Sequence, residues 1–193
     1  MNWKTIFNPF EKFDEKLLLL IGILTVIISI IAGYWTGTTF SSIYRISNLK
    51  EISFQAIAIS TLASFSSSII ILFILGKILN SKTRLIDIIN TVLISQLVLV
   101  ILQPAYKIPF IDSAKKNMAA YSKNPTDSIP LIDMSMMMMM GIFSILVLTY
   151  SIVIFYNGFK TATNIKKWQH IVLFAVVALI STIICQIITT NFI

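Results

Sequence analysis

The chain has 193 residues, of which 56% belong to the hydrophobic set and only 12% are charged. An ordinary soluble domain carries about 25% charged residues, so this composition excludes most soluble folds, a disordered chain and a small disulfide scaffold. The formal net charge is +7, from 15 basic and 8 acidic residues. The basic residues are spread along the chain, whereas nucleic-acid binding needs a basic stripe on one face, so no nucleic-acid partner is expected. The composition predicts a polytopic protein of the lipid bilayer.

Residues 1–16 predict a short helical segment at the membrane interface. Asn8, Pro9 and Glu11 match a helix N-cap, a first-turn proline and a capping-box glutamate, and Phe10 begins an apolar face. One interpretation is an interfacial helix that leads directly into the first span; the other is a capped extension of that span. Aromatic and charged residues alternate here and no small-residue cleavage site follows, so a cleavable signal peptide is not expected.

Five apolar runs along the chain are long enough to cross a bilayer, since a helix needs about 20 residues to span roughly 30 Å of hydrocarbon. They predict an all-α fold, a polytopic membrane helix bundle with five transmembrane helices in a single membrane domain, residues 1–193. The predicted spans are residues 17–35, 54–75, 85–102, 134–159 and 168–188. Residues 103–133 are predicted to form one long outer loop punctuated by four prolines, within which residues 113–122 are compatible with a short surface helix.

The distribution of Lys and Arg predicts the orientation of these spans. Nine basic residues lie on the side of the N-terminus, in short segments close to the span ends, and six lie on the opposite side over a longer stretch of chain. Basic residues in short cytoplasmic loops set the orientation of membrane proteins. The N-terminus is therefore predicted to be cytoplasmic and the C-terminus to lie outside.

One carboxylate, Asp87, lies at the start of the third span. On a helix it shares a face with Asn90, Thr91 and Ser95. Charged groups inside a bilayer are costly and often functional, so this face is a candidate binding site in a small transporter or channel for a cation or a lipid. The alternative interpretation places Asp87 at the interface near Arg84, with the amide and hydroxyl groups bonded to neighbouring helices.

Small residues recur every four positions in the second span, at Ala56, Ser60, Ser64 and Ser68. They form a continuous ladder about 18 Å long on one face of the helix. Helices in lipid approach closely where such small residues face each other, so the ladder predicts a helix-packing face. The other interpretation is a polar groove for a headgroup or an ion.

No residue pattern indicates catalysis, a cofactor or a metal. The chain has a single histidine, His170, which excludes multi-histidine metal centres. Cys185 has no basic neighbour that would activate its thiol, so it is interpreted as a small packing residue. The methionines between Met134 and Met140 suit Cu(I) as soft ligands, but no Cys or His accompanies them and methionine also fills apolar space. No nucleotide-binding or hydrolase motif occurs, so the chain is not expected to be an enzyme.

Four segments carry a resemblance to a known family. They are WKTIFNPFEKF at residues 3–13, the basic hairpin GKILNSKTR at residues 76–84, Gln103-Pro104 at the end of the third span, and YNGFKTATN at residues 156–164. In this order and spacing, over nearly the whole chain, the sequence resembles bacterial members of the YIP (Ypt-interacting protein) family.

The resemblance implies a non-enzymatic five-span membrane protein with a cytoplasmic N-terminus, located in the bacterial plasma membrane. It also implies a role in membrane organisation or as a partner-binding membrane subunit, with a protein partner or a second copy of the chain. Eukaryotic relatives bind small Rab-type GTPases. This chain lacks their long N-terminal region and their Asp-Leu-Tyr-Gly-Pro motif, so a small GTPase partner is not expected.

Overall fold

The computed structural model describes residues 3–49, 52–123 and 131–190. Within these residues the chain forms eight α-helices, one 3-10 turn and one β-hairpin. In chain order they are α1 Trp3–Phe7, the turn Pro9–Glu11, α2 Glu15–Thr36, β1 Thr38–Ser42, β2 Arg45–Asn48, α3 Phe54–Leu79, α4 Leu85–Leu99, α5 Leu102–Ala105, α6 Pro109–Lys123, α7 Leu131–Thr163 and α8 Trp168–Thr190.

Five segments of the described chain are long and apolar enough to cross a membrane. Four of them are the single helices α2, α3, α7 and α8, and the fifth runs through α4 into α5, from Leu85 to Ala105. The prediction of an all-α polytopic bundle with five spans is therefore confirmed.

The span formed by α4 and α5 lies at the centre of the bundle. In its most apolar stretch 61% of the residues are buried, against 22–39% in the other four spans. It packs between α2 and α7, and its polar residues Thr91, Ser95 and Gln96 are fully buried. Amide side chains are costly to expose to lipid, and this span carries three of them, Asn90, Gln96 and Gln103, more than any other span, so it takes the position that the other helices cover.

A β-hairpin between α2 and α3 enters the bundle, and the sequence analysis did not predict it. All five residues of β1 are buried against α2, α3 and α8, and β1 pairs with β2 in antiparallel register from Thr38 opposite Asn48. The ring of Phe40 lies 5.5 Å from that of Phe65, and the ring of Tyr44 lies 5.8 Å from that of Phe155. The signal in the sequence was a short β-branched and aromatic segment after a glycine.

Two glycines allow the chain to turn from α2 into this hairpin. Gly37 ends α2 in the left-handed region, with φ of 69°, and its N–H donates to the carbonyl of Gly33. Other residues adopt this conformation rarely. A Cβ at Gly33 would lie 2.6 Å from the carbonyl oxygen of Thr38, so a side chain there would push β1 away from the helix.

The segment predicted as a long outer loop contains regular structure. Helix α6 begins at Pro109, earlier than the expected residues 113–122, and it packs along α7 with Ala114 fully buried. The carboxylate of Asp112 lies 2.7 Å from the ammonium of Lys116 one turn later, and this hydrogen bond lowers the pKa of Asp112. The remaining part of the predicted loop at residues 124–130 lies outside the described residues.

The small-residue ladder of α3 lies against α8. Ser60, Ser64 and Ser68 are fully buried, and Ala56 is half-buried. The Sγ atom of Cys185 on α8 lies 3.3 Å from Oγ of Ser68 and 3.4 Å from the carbonyl oxygen of Ser64. Such short distances between two helices require small side chains on both, so the contact supports the packing interpretation of this face.

We predict that the size of the side chain at position 64, and not its hydroxyl group, determines stability. Oγ of Ser64 is buried with no hydrogen-bond partner among the described residues, so Ser64→Ala should change the free energy of unfolding by less than about 0.5 kcal/mol. Ser64→Leu should lower it by roughly 1–3 kcal/mol, because added volume in a packed contact forces the backbones apart. Thermal unfolding of the purified protein in detergent measures both changes.

The matched control is Ser66→Leu, since Ser66 lies on the same helix with its side chain exposed. This variant should unfold at the temperature of the unmodified protein. A Ser64→Leu protein as stable as the Ser66→Leu protein would contradict the packing role.

Candidate functional site

The N-terminal segment folds back onto the end of α7. The hydroxyl of Tyr150 donates to the carbonyl of Ile6 at 2.9 Å, and the amide of Asn157 donates to the carbonyl of Phe7 at 2.9 Å. Asn8 does not cap the following turn as predicted: its side chain donates to Oγ1 of Thr161 at 3.3 Å instead. The segment is therefore not a continuous extension of α2, because its polar groups bond to another span.

A close contact between Gly158 and the ring of Phe10 fixes this arrangement. A Cβ at Gly158 would lie 2.7 Å from Cε2 of Phe10 and 2.7 Å from Oγ1 of Thr91. Only a residue without a side chain allows the aromatic ring and α4 to approach α7 together at this point. The contact joins two of the segments that carried the family resemblance.

These contacts leave a cleft of about 350 Å³ between the N-terminal segment and the adjoining ends of α2, α4 and α7, which we call the N-terminal cleft. Its walls combine aromatic, small and charged side chains. They are Phe10, Phe13, Asp14, Glu15, Leu18, Arg84, Asp87, Asn90, Gly158, Thr161 and Ala162.

Arg84 joins two carboxylates across the N-terminal cleft. Its Nη2 atom lies 2.7 Å from Oδ1 of Asp87 and 2.8 Å from Oε2 of Glu15, and its Nε atom donates to Oδ2 of Asp87 at 2.9 Å. The hydrogen bond to Asp87, with the charges of both acids, raises the pKa of Arg84 further above its usual range. Since Asp14 also lines the cleft, three carboxylates face one guanidinium and the formal charge of the lining is −2.

Asn90 adds a buried acceptor to this site. Its side chain is 2% exposed, and its amide nitrogen donates to the carbonyl of Glu15 at 3.1 Å. Its Oδ1 atom has no hydrogen-bond partner among the described residues. A buried oxygen without a partner is unfavourable, so a donor that enters the N-terminal cleft can gain a hydrogen bond there. Carboxylates together with such an oxygen suit an ammonium or guanidinium group.

The four residues predicted as a binding face are divided between two environments. Asp87 and Asn90 line the N-terminal cleft. Thr91 donates to the carbonyl of Asp87 at 2.7 Å, and Ser95 donates to the carbonyl of Val92 at 2.7 Å. The hydroxyl of Ser151 on α7 donates to the carbonyl of Ser95 at 2.8 Å. The hydroxyl groups of Thr91 and Ser95 therefore form hydrogen bonds within α4, and the backbone of α4 at Ser95 accepts a hydrogen bond from α7.

Sequence reasoning did not assign Glu15, Phe10, Gly158 or Thr161 to this site. Phe10 was expected only as part of an apolar face of the N-terminal segment, and Gly158 was noted only for the family resemblance. Nothing in the local sequence pattern of Glu15 pairs it with Arg84. The residues of the small-side-chain ladder on α3 lie elsewhere, at the contact with α8.

The other residues considered for chemistry lie apart from the N-terminal cleft. His170 is half-buried in the first turn of α8. The methionines Met136, Met139 and Met140 line an apolar groove between α6 and α7, together with Phe110 and Phe143. Among the described residues, no group of three or more His, Cys, Asp or Glu side chains is placed to hold a metal ion.

Comparison with known proteins gives one match. The family model of the Yip1 domain matches residues 3–189, which include the N-terminal segment, all five spans and every residue that lines the N-terminal cleft. Searches of curated proteins and of solved structures gave no significant match. Because the match extends over nearly the whole chain, this protein belongs to the Yip1 family of multi-pass membrane proteins.

Proposed function

We propose that this chain is a non-enzymatic membrane-organising protein that binds a protein partner through the N-terminal cleft. The observation that carries the proposal is the excess of acceptors in that cleft. Arg84 offsets the charge of one of three carboxylates, and Oδ1 of the buried Asn90 has no hydrogen-bond partner in the part of the chain that the structure describes. The group that fits this chemistry is a lysine or arginine side chain on the partner.

The charges around the N-terminal cleft favour a protein over a lipid headgroup. Lys12, Lys16 and Lys82 are exposed beside it, and basic residues at a span end attract anionic headgroups. The cleft itself is acidic, so it repels those same headgroups. The bilayer surface therefore lies next to the opening without filling it, which leaves the cleft for a basic segment of a partner protein.

The alternative of a transporter or channel along the face of Asp87 has less support. Both oxygens of Asp87 accept hydrogen bonds from Arg84, and the hydroxyls of Thr91 and Ser95 donate to carbonyls of their own helix. These groups are already occupied by the protein, whereas a path for a cation needs acceptors that are free to exchange.

Site-specific photo-cross-linking in native membranes tests the partner proposal. Phe13 lines the N-terminal cleft and is 43% exposed, so a photoreactive phenylalanine analogue at this position should form a discrete adduct with one protein. Asp14→Lys should abolish the adduct, because it adds positive charge where the partner's basic group binds. The matched control is Glu11→Lys, which makes the same change of charge in the same segment outside the cleft.

An adduct that survives Asp14→Lys, or one that Glu11→Lys abolishes equally, would contradict a charge-specific site in the N-terminal cleft. A second copy of this chain in the adduct would identify the partner as a homo-oligomer. A different protein would identify the pathway.

A flux assay separates this function from transport. Proteoliposomes that contain the full chain should show no flux of protons, monovalent cations, Cu(I) or labelled lipid above that of empty vesicles. Flux that is present in the unmodified protein and lost in Asp87→Asn would overturn the proposal in favour of a transporter.

The proposed cytoplasmic location of the N-terminal cleft is tested by cysteine labelling. The positive-inside rule predicts that α6 lies outside and that the turn between α7 and α8 lies inside. In a Cys185→Ser background, Ala119→Cys on the exposed face of α6 should react with an impermeant maleimide in intact bacterial cells. Lys166→Cys in the exposed turn should react only after the cells are opened. The reverse pattern would invert the orientation and place the cleft outside.

A further inference from the structure

A second cleft lies toward the other end of the bundle, where the β-hairpin meets α4, α5, α6 and α7. Its volume is about 420 Å³, and we call it the hairpin cleft. Two basic side chains, Arg45 from β2 and Lys115 from α6, line it beside the apolar side chains of Leu102, Ile145 and Leu148.

The hairpin carries Arg45 into the bundle, away from the end at which α3 begins. The ring of Phe40 on β1 contacts that of Phe65, which lies eleven residues beyond the start of α3 and so about 16 Å along that helix. The guanidinium of Arg45 donates to Oε1 of Gln186 at 2.8 Å, and Gln186 lies one turn inside the described end of α8. A charged side chain that a hairpin carries between apolar helices is a candidate functional site.

Neither cation forms an ion pair with a carboxylate among the residues that the structure describes, although Lys115 acts on Asp112 at longer range. Gln186 is the hydrogen-bond partner of Arg45, and it is neutral. No carboxylate lines the hairpin cleft. Asp112, the acid on α6, is bound by Lys116 at 2.7 Å. Arg45 and Lys115 therefore present a positive charge that a negative group can neutralise.

The other walls of the hairpin cleft suit hydrocarbon. Leu99, Leu102 and Leu148 supply apolar surface inside it, and Ile145 both lines it and is 64% exposed on α7. In a membrane-spanning helix this exposed face meets lipid, so the apolar wall continues from the cleft to the acyl chains of the bilayer. A guanidinium and an ammonium at the opening of such an apolar cleft suit the phosphate of an anionic headgroup.

We propose that the hairpin cleft binds an anionic phospholipid. The phosphate group is held by the guanidinium of Arg45, whose planar fork matches phosphate oxygens, and by the ammonium of Lys115. An acyl chain lies along the wall formed by Leu102, Ile145 and Leu148. This site shares no lining residue with the N-terminal cleft. The lipid proposal is therefore tested independently of the partner proposal.

Native mass spectrometry of the full chain, extracted from vesicles in which about a third of the lipid is phosphatidylglycerol and the rest phosphatidylcholine, tests the proposal. We expect one retained phosphatidylglycerol per chain and no enrichment of phosphatidylcholine. Arg45→Gln should weaken retention about tenfold, since it removes a charge-assisted hydrogen bond to phosphate. Arg45→Lys should retain part of the binding, because it keeps the charge without the planar fork.

Lys115→Gln keeps the test decisive if Arg45→Gln does not fold, because Lys115 is an exposed surface residue. Its matched control is Lys123→Gln, the same change on the same helix outside the hairpin cleft. Loss of phosphatidylglycerol in Lys115→Gln but not in Lys123→Gln supports the site. Equal retention in both variants, or equal retention of both lipids by the unmodified chain, overturns it. Displacement of the lipid by inorganic phosphate would overturn the lipid assignment in favour of a free anion.

Discussion

The fold depends on the cost of exposing polar side chains to the lipid of a bilayer. The span formed by α4 and α5 carries the most amide side chains of the five spans, and it is the span that the other helices cover. Ser151 of α7 donates to the carbonyl of Ser95, and Asn90 donates to the carbonyl of Glu15 at the start of α2. The amide side chains of α4 thus favour its central position. The hydrogen bonds of Ser151 and Asn90 then hold α7 and the start of α2 against it.

The same span lines both clefts, and the two clefts differ in charge. At the start of α4, Asp87 contributes to a cleft with excess negative charge. Beyond its end, Leu102 lies in a cleft whose charged groups are Arg45 and Lys115. We propose that these opposite charges select opposite ligands, a basic protein segment at one end of the bundle and an anionic headgroup at the other.

The number and type of the spans could be predicted from the sequence, because bilayer thickness sets a length that apolar runs either reach or do not reach. The hairpin could not be predicted with the same rule. Its nine strand residues are too few to give a clear periodic signal, and the contacts with Phe65 and Phe155 that bury it come from distant helices. The N-terminal cleft was predicted only in part. Local spacing placed Asp87 and Asn90 on one face, but the contacts of Arg84 with Glu15 and of Gly158 with Phe10 join segments far apart in the chain.

The central claim is that the N-terminal segment forms hydrogen bonds to α7 and thereby forms the N-terminal cleft. Thiol cross-linking between positions 8 and 161 tests it most directly, because Nδ2 of Asn8 and Oγ1 of Thr161 lie 3.3 Å apart, so cysteines at the two positions lie within reach of a short bifunctional thiol reagent. In a Cys185→Ser background, Asn8→Cys with Thr161→Cys should be cross-linked nearly completely by a short bis-methanethiosulfonate in native membranes, whereas Asn8→Cys with Lys166→Cys should not. Absence of the cross-link in the first pair would contradict the account.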